Sequence, residues 1–265
     1  MIFGAGCRLN LGGGNPLLPL TVFIDIGWYA AYYGYMNPAD VKTTLMAYAL
    51  DQGASAVGAC RVDTLIEQFH PEIQYVARRL TTAISFGLAV QQSVLDTLTN
   101  GPNDIYKSHY RTINSRLDQI GLMLADTIAR MGYQAMNIPA SQLLGPSPKH
   151  GNHAHLNHRE VAYRAGLGWR GKNNLLVNSR FAGRLRLATV LTDLELPPDP
   201  IMNGECGSCR ACAAKCPADA IGRETEDFSL DKCREQVLRF SHENNYGQLI
   251  CGLCLDCCPG GRKNA

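Results

Sequence analysis

Nine cysteines crowd between Cys206 and Cys258 of a 265-residue chain that holds eleven, and this ladder limits what the chain can become more than any other feature. The first set is Cys206, Cys209, Cys212 and Cys216, followed at once by Pro217. The second is Cys251, Cys254, Cys257 and Cys258, followed by Pro259, and Cys233 stands alone between them. Cysteines spread through a small secreted domain would read as a disulfide framework. Clustering at short, regular spacing reads instead as metal ligation in a reducing compartment, which is a cytoplasmic expectation. The length allows one ordinary domain and a small second one. A hydrophobic content of 46%, a charged content of 18% and a net charge of +2 describe a globular chain. They give no global reason to expect DNA or a membrane surface.

The first set has the C-x2-C-x2-C-x3-C-P spacing of bacterial ferredoxins, in which three thiolates on a tight loop hold three corners of one [4Fe–4S] cube. The fourth cysteine, just before the proline, leads away to the other cluster. Zinc is the competing reading, because C-x2-C pairs also build tetrahedral sites. A zinc ribbon needs only four ligands and would leave half of these thiols idle, so two [4Fe–4S] clusters are expected. The second set departs from the ferredoxin pattern, since Cys258 follows Cys257 directly. With Cys258 as the returning ligand, one cluster takes Cys206, Cys209, Cys212 and Cys258. The other takes Cys216, Cys251, Cys254 and either Cys233 or Cys257. Cys7 and Cys60 read as small buried hydrophobes.

Ahead of the ladder, helix and strand signals mix without a strict βαβ rhythm, which favours an α+β fold. Residues 1–36 are expected to be an extension outside the fold, since Asp25 interrupts the apolar run 16–35. Asn37 and Pro38 then open a helix, as N-cap and first helical residue, that closes near Gly53. Val41, Leu45, Tyr48 and Ala49 form its apolar face. An apolar stretch follows at Ala56–Cys60 and Tyr133–Ile138 reads as extended, while strands are expected at Ala83–Ala89, Asn174–Asn178 and Arg184–Thr192, the last half-buried by its alternation. The longest helix signal runs from His109 to Met131. The organisation expected is a cofactor or substrate domain over 37–195, then a proline-rich linker and a dicluster ferredoxin-type domain over 196–265.

Between the two lies Ala165-Gly-Leu-Gly-Trp-Arg-Gly-Lys172. Gly166 through Lys172 formally match the start of a P-loop, but Asn173 stands where Ser or Thr should bind magnesium, and a helix precedes it where a strand should. Three glycines in six residues imply close backbone approach, either for a ligand or for a tight helix-to-strand connection. Seven basic residues (Arg159, Arg164, Arg170, Lys172, Arg180, Arg184 and Arg186) surround the loop, opposed only by Glu160. They suit the phosphate or carboxylate groups of a cofactor or substrate, or else a solvated face. Gly166, Gly168, Arg170, Gly171, Lys172 and Asn173 are the cofactor-binding candidates. His153, His155 and His158, with His150, sit on the irregular loop before them as candidates for proton transfer.

The glycine motif with Asn173, followed by Cys206-Gly-Ser-Cys-Arg-Ala-Cys-Ala-Ala-Lys-Cys-Pro217, resembles the iron–sulfur core of epoxyqueuosine reductases, distant relatives of the reductive dehalogenases. Ala49–Cys60, Asn100–Tyr110 and Gly132–Ser141 fit as well, so the likeness covers most of residues 37–260. It implies a nitroreductase-like domain holding a corrinoid (cobalamin) near two clusters that reduce it. It also implies that Cys233 joins Cys216, Cys251 and Cys254, leaving Cys257 spare. Two departures stand out. The proton-donating Asp of those enzymes falls opposite Asn152, which cannot act as an acid. The C-terminal helical repeats that help grip tRNA are missing, so tRNA is not expected as a partner. The functions in play are a reductase fed by an external low-potential electron donor, with a corrinoid or with another cofactor such as flavin, and an electron-transfer or reductive-activator protein without substrate chemistry. The acceptor is then a cofactor or a small molecule.

Overall fold

The computed structural model describes residues 36–141 and 154–260. In chain order the helices are α1 (Pro38–Asp51), α2 (Pro71–Ala77), α3 (Gln92–Leu95), α4 (Asp104–Arg130), α5 (His158–Arg164), α6 (Ala211–Lys215), α7 (Leu230–Glu243) and α8 (Leu253–Asp256). The strands are β1 (Ala56–Arg61), β2 (Thr82–Ala89), β3 (Ala135–Ile138), β4 (Trp169–Arg170), β5 (Leu176–Val177) and β6 (Leu185–Thr192). Four of them form one sheet in the order β1-β2-β6-β3, antiparallel throughout, and β4 and β5 make a separate small hairpin. Helices packed on an antiparallel sheet make the fold α+β.

The sheet is buried on both faces because its residues alternate between two cores. Ala59, Ile84, Phe86, Ala188 and Val190 face α1 and α4, which contribute Val41, Leu45, Leu117, Ile120 and Leu124. Cys60, Ala83, Leu187 and Leu191 face the opposite way, against Leu65, Phe69, Val161 and Ala162 from the α2 and α5 side. The half-buried reading of the last strand is corrected here. From Leu187 to Thr192 every residue of β6 is buried, because α4 covers one face of the strand and α5 the other.

The helix at Pro38 begins as expected, with the Asn37 side chain accepting from the Ala39 N–H. The longest helix starts five residues before His109. Asn103 caps it by accepting from Tyr106 N at 2.9 Å. The strand expected over Asn174–Asn178 shrinks to Leu176–Val177.

The proline-rich segment after β6 is fastened to the sheet domain. Leu196 is buried in the first core. The Asp199 carboxylate accepts from Lys42 Nζ at 2.7 Å and from Ala59 N at 2.8 Å. Ile250, Leu253 and Leu255, from the cysteine-bearing end, share that core with Leu98 and Tyr106. Met36, at the edge of the expected extension, packs on it as well; the rest of 1–36 lies outside the described residues. Among the described residues no helix is long and apolar enough to cross a membrane.

Candidate metal centre

All ten described cysteines are free thiols. Cys216, Cys233, Cys251 and Cys254 line one cavity, and Cys257 is not among its walls. Three separate pieces of chain deliver them: the turn after α6, the first turn of α7 capped by Ser229, and the stretch leading into α8. Arg159, Asn173 and Leu175 of the sheet domain close the cavity, together with Ile221, Phe228, Val237 and Leu253. Burial, and next the neighbouring Cys251 and Cys233, hold the Cys254 thiol well above its ordinary pKa. Burial pushes Cys251 up to about 11, with Cys233 and Cys216 adding to it against a backbone N–H at Leu253. Cys233 is raised by burial and by Cys216, and lowered by Arg159. Thiols that repel one another's charge in an apolar pocket stay protonated until a cation takes the protons' place.

The first set sits on a turn at the surface. Cys209 N donates to Cys206 O at 3.0 Å, and Cys212 lies in the short α6. Burial, then Cys257, Cys258, Cys206 and Cys209, raise the Cys212 thiol to about 11. Cys258 is raised by burial and lowered by the Gly260 and Gly183 amides, which donate to its sulfur, with Cys206 and Cys209 next. Cys257 behaves differently. Its thiol donates to Leu253 O at 3.5 Å, one turn back in α8; Cys258 bears on its charge, and it bears in turn on Cys212 and Cys254. The structure thus gathers Cys216, Cys233, Cys251 and Cys254 around one cavity, while Cys206, Cys209, Cys257 and Cys258 all bear on Cys212. No three His, Cys, Asp or Glu among the described residues stand so as to grip a single metal ion.

The glycine loop does not lie open to a ligand. Gly166 has φ +72, and a Cβ there would collide with the Pro200 carbonyl. One at Gly168 would strike the Val177 carbonyl, and one at Gly171 the Val177 side chain. The backbone that approaches these glycines is the chain's own, so the expected cradle for a large flat cofactor is corrected to a tight hairpin. Arg170 pairs with Glu160 and stacks on Tyr163. Lys172 and Asn173 are buried and turn toward the cysteines. Lys172 Nζ donates to Gly207 O at 2.6 Å, between Cys206 and Cys209, and Asn173 Nδ2 donates to Cys254 O at 3.4 Å. One short loop therefore braces both cysteine groups.

The basic residues divide by role. Burial pushes the Glu160 carboxyl up, but hydrogen bonds from Arg164 and Arg170 outweigh it and leave its pKa below the ordinary value. Arg186 spans from β6 to Asn114 Oδ1 at 3.1 Å and stacks on Tyr110. Arg159 alone among the seven lines the cysteine cavity, its guanidinium donating to Asn174 O. Sequence reasoning counted Arg159 only as one of a basic group and missed Gln236, which lines the same cavity. Its signal was available: Gln236 follows Cys233 by three positions, hence on the same helix face.

Asn152 and His153, with His150, lie outside the described residues. His155 bonds Glu72 Oε2 at 3.1 Å, away from the cysteines. His158 Nε2–H donates to Pro139 O at 3.0 Å, so its Nδ1 accepts from the Thr189 hydroxyl at 2.9 Å. Burial brings its pKa down to about 4. It is a neutral, fully bonded ring joining α5 to β6.

No protein-family model matches the chain. It is 24% identical over 222 residues to an epoxyqueuosine reductase of Vibrio cholerae, covering 71% of this chain and 56% of that one. The chain thus spans little more than half the length of that relative. Among solved structures, a reductive dehalogenase described by B12-dependent dehalogenation superposes with a TM-score of 0.70 at 22% identity, over 86% of this chain and 33% of that one. The epoxyqueuosine reductase of Streptococcus thermophilus gives 0.55 at 18% identity, over 85% and 67%. In sequence and in fold, the chain is related to the epoxyqueuosine reductases and the reductive dehalogenases.

Proposed function

We propose that the chain is an iron–sulfur reductase carrying two [4Fe–4S] clusters in a ferredoxin-type arrangement, which pass electrons to an acceptor group. The observation that carries this is the grouping of nine thiols, four lining a single cavity and five close by one another beside it. Thiols spread around a cavity suit a cube better than one zinc ion. The side-chain Nε2 of Gln236, buried with no partner among the described residues, suits a donor to a cluster sulfur. Cys206, Cys209, Cys212 and Cys258 would hold one cluster, and Cys216, Cys233, Cys251 and Cys254 the other. Lys172 and Asn173 fix the two ligand loops against the sheet domain. Exposed Gly207 and Ser208 give an external low-potential donor a way in, in a reducing, cytoplasmic setting.

The acceptor proposed is a corrinoid, supported by the likeness to a dehalogenase described as B12-dependent. A bound corrinoid supplies the two-electron chemistry of cobalt. The filled hairpin at Gly166–Asn173 is not its seat, and this same observation favours a second reading: electron transfer to another protein, without substrate chemistry. Anaerobic reconstitution should give about eight irons per chain, and cob(II)alamin should then change its visible and paramagnetic spectra on binding. About four irons or stoichiometric zinc refutes the cluster reading. Eight irons with unchanged cobalamin spectra selects the second reading. Turnover of an epoxyqueuosine-bearing tRNA stem loop would bring tRNA back as a substrate, since a solved relative was crystallised with one.

A further inference from the structure

We infer that Arg159 and Gln236 set the reduction potential of the cluster held by Cys216, Cys233, Cys251 and Cys254, an inference that rests on the cluster reading above. Both residues line the cavity with those four cysteines. Gln236 is 7% exposed. Its side-chain oxygen accepts from Arg239, while its Nε2 is buried with no partner among the described residues. That leaves the Nε2 donors of a cavity-lining side chain available to whatever the cysteines hold. Arg159 is part-buried and pairs with no carboxylate among the described residues. Among the described residues the one hydrogen bond of its guanidinium goes to the carbonyl of Asn174, a residue at φ 57. Its guanidinium and the Cys233 thiol bear on each other's charge.

A [4Fe–4S] cube on four thiolates is anionic, and taking one electron from a donor adds a negative charge without breaking a bond. The apolar walls (Ile221, Phe228, Val237 and Leu253) oppose that charge and pull the potential down. A fixed cation and an N–H donated to sulfur oppose that pull by stabilising the reduced form. Charge in a low-dielectric pocket acts more strongly than at the surface. Arg159 is therefore the larger of the two effects and Gln236 the smaller.

The test is a potentiometric titration, followed by electron paramagnetic resonance, of the anaerobically reconstituted full chain. Cys233→Ala identifies the signal of this cluster by removing it. In Arg159→Gln that signal should need a more negative potential, with the reduced-to-oxidised ratio at fixed potential falling about tenfold, equivalent to about 59 mV. The other cluster should stay put. Arg159→Lys should restore most of the shift, and Gln236→Leu should give a smaller change of the same sign. Unmoved potentials in Arg159→Gln with both clusters present overturn the inference, as does an equal shift of both clusters. If Arg159→Gln cannot hold the cluster, Gln236→Leu and Arg159→Lys decide. An unmoved potential in the first together with a fully lowered one in the second overturns it. A wild-type chain holding about four irons would instead strike the cluster reading itself.

Discussion

Cys206, Cys209 and Cys212 ride on a surface turn between exposed Gly207, Ser208 and Arg210, whereas Cys251 and Cys254 sit where the chain enters the main core. Leu253, between them, is buried against the same cluster as Leu98 and Tyr106. The three cysteines of the first turn ride on an appendage braced by Lys172, whereas Cys251 and Cys254 border the fold's interior. Losing a ligand should therefore cost the molecule very different things in the two places.

The largest effect tests this directly. Cys254→Ser and Cys209→Ser should each remove about four irons, but only the former should also lower the thermal midpoint sharply. Equal losses of midpoint would erase the distinction. Cys233→Ala should behave like Cys254→Ser in iron content. Next comes Leu253→Ala, which leaves every cysteine in place. It should cost about 2–5 kcal/mol in denaturant unfolding and release the second cluster before the first. Release of both together would show that the groups are one cooperative unit.

A smaller effect concerns the scaffold beneath the second group. His158 adjoins Arg159 and is neutral when folded, with a pKa of about 4 against an ordinary value of 6.5. Below pH 6.5 the unfolded chain takes up a proton that the folded chain refuses. Stability thus rises with pH between about 4 and 6.5 and is lost as pH falls. The loss attributable to this group at pH 5 is roughly 2 kcal/mol. His158→Gln should show a correspondingly smaller drop between pH 7 and pH 5, read from denaturant midpoints at each pH. The smallest effect expected is that of Cys257→Ala, which should keep about eight irons, because that thiol is turned back onto its own helix. Iron loss in this variant would exchange the roles of Cys257 and Cys233.

Much of the scaffold was legible because local chemistry and fold agree. Asn37-Pro38 starts a helix where its capping chemistry says it should, and Ala56–Arg61 and Thr82–Ala89 are strands where apolar runs predict them. The errors came from tertiary context. Alternation along 184–192 describes a strand with one wet face, but no local pattern records that α5 covers the other. The glycine motif carried the same ambiguity. Three glycines announce a close approach, yet only the folded chain says that the approaching groups are Pro200 and Val177 rather than a ligand. Spacing could not choose between Cys233 and Cys257, since the choice depends on how α7 lies against α8. The placement of Arg159 and Gln236 depends on the same packing.

The order of these parts along the chain has a consequence for synthesis. The last strand of the sheet ends at Thr192, and Lys172 and Asn173 precede it, while every cysteine of the two groups follows. Growing at roughly 5–20 residues per second, a ribosome finishes the sheet and its bracing hairpin several seconds before it makes Cys258. Lys172 and Asn173, which brace the two ligand loops, are thus synthesised before any of the cysteines they hold in place.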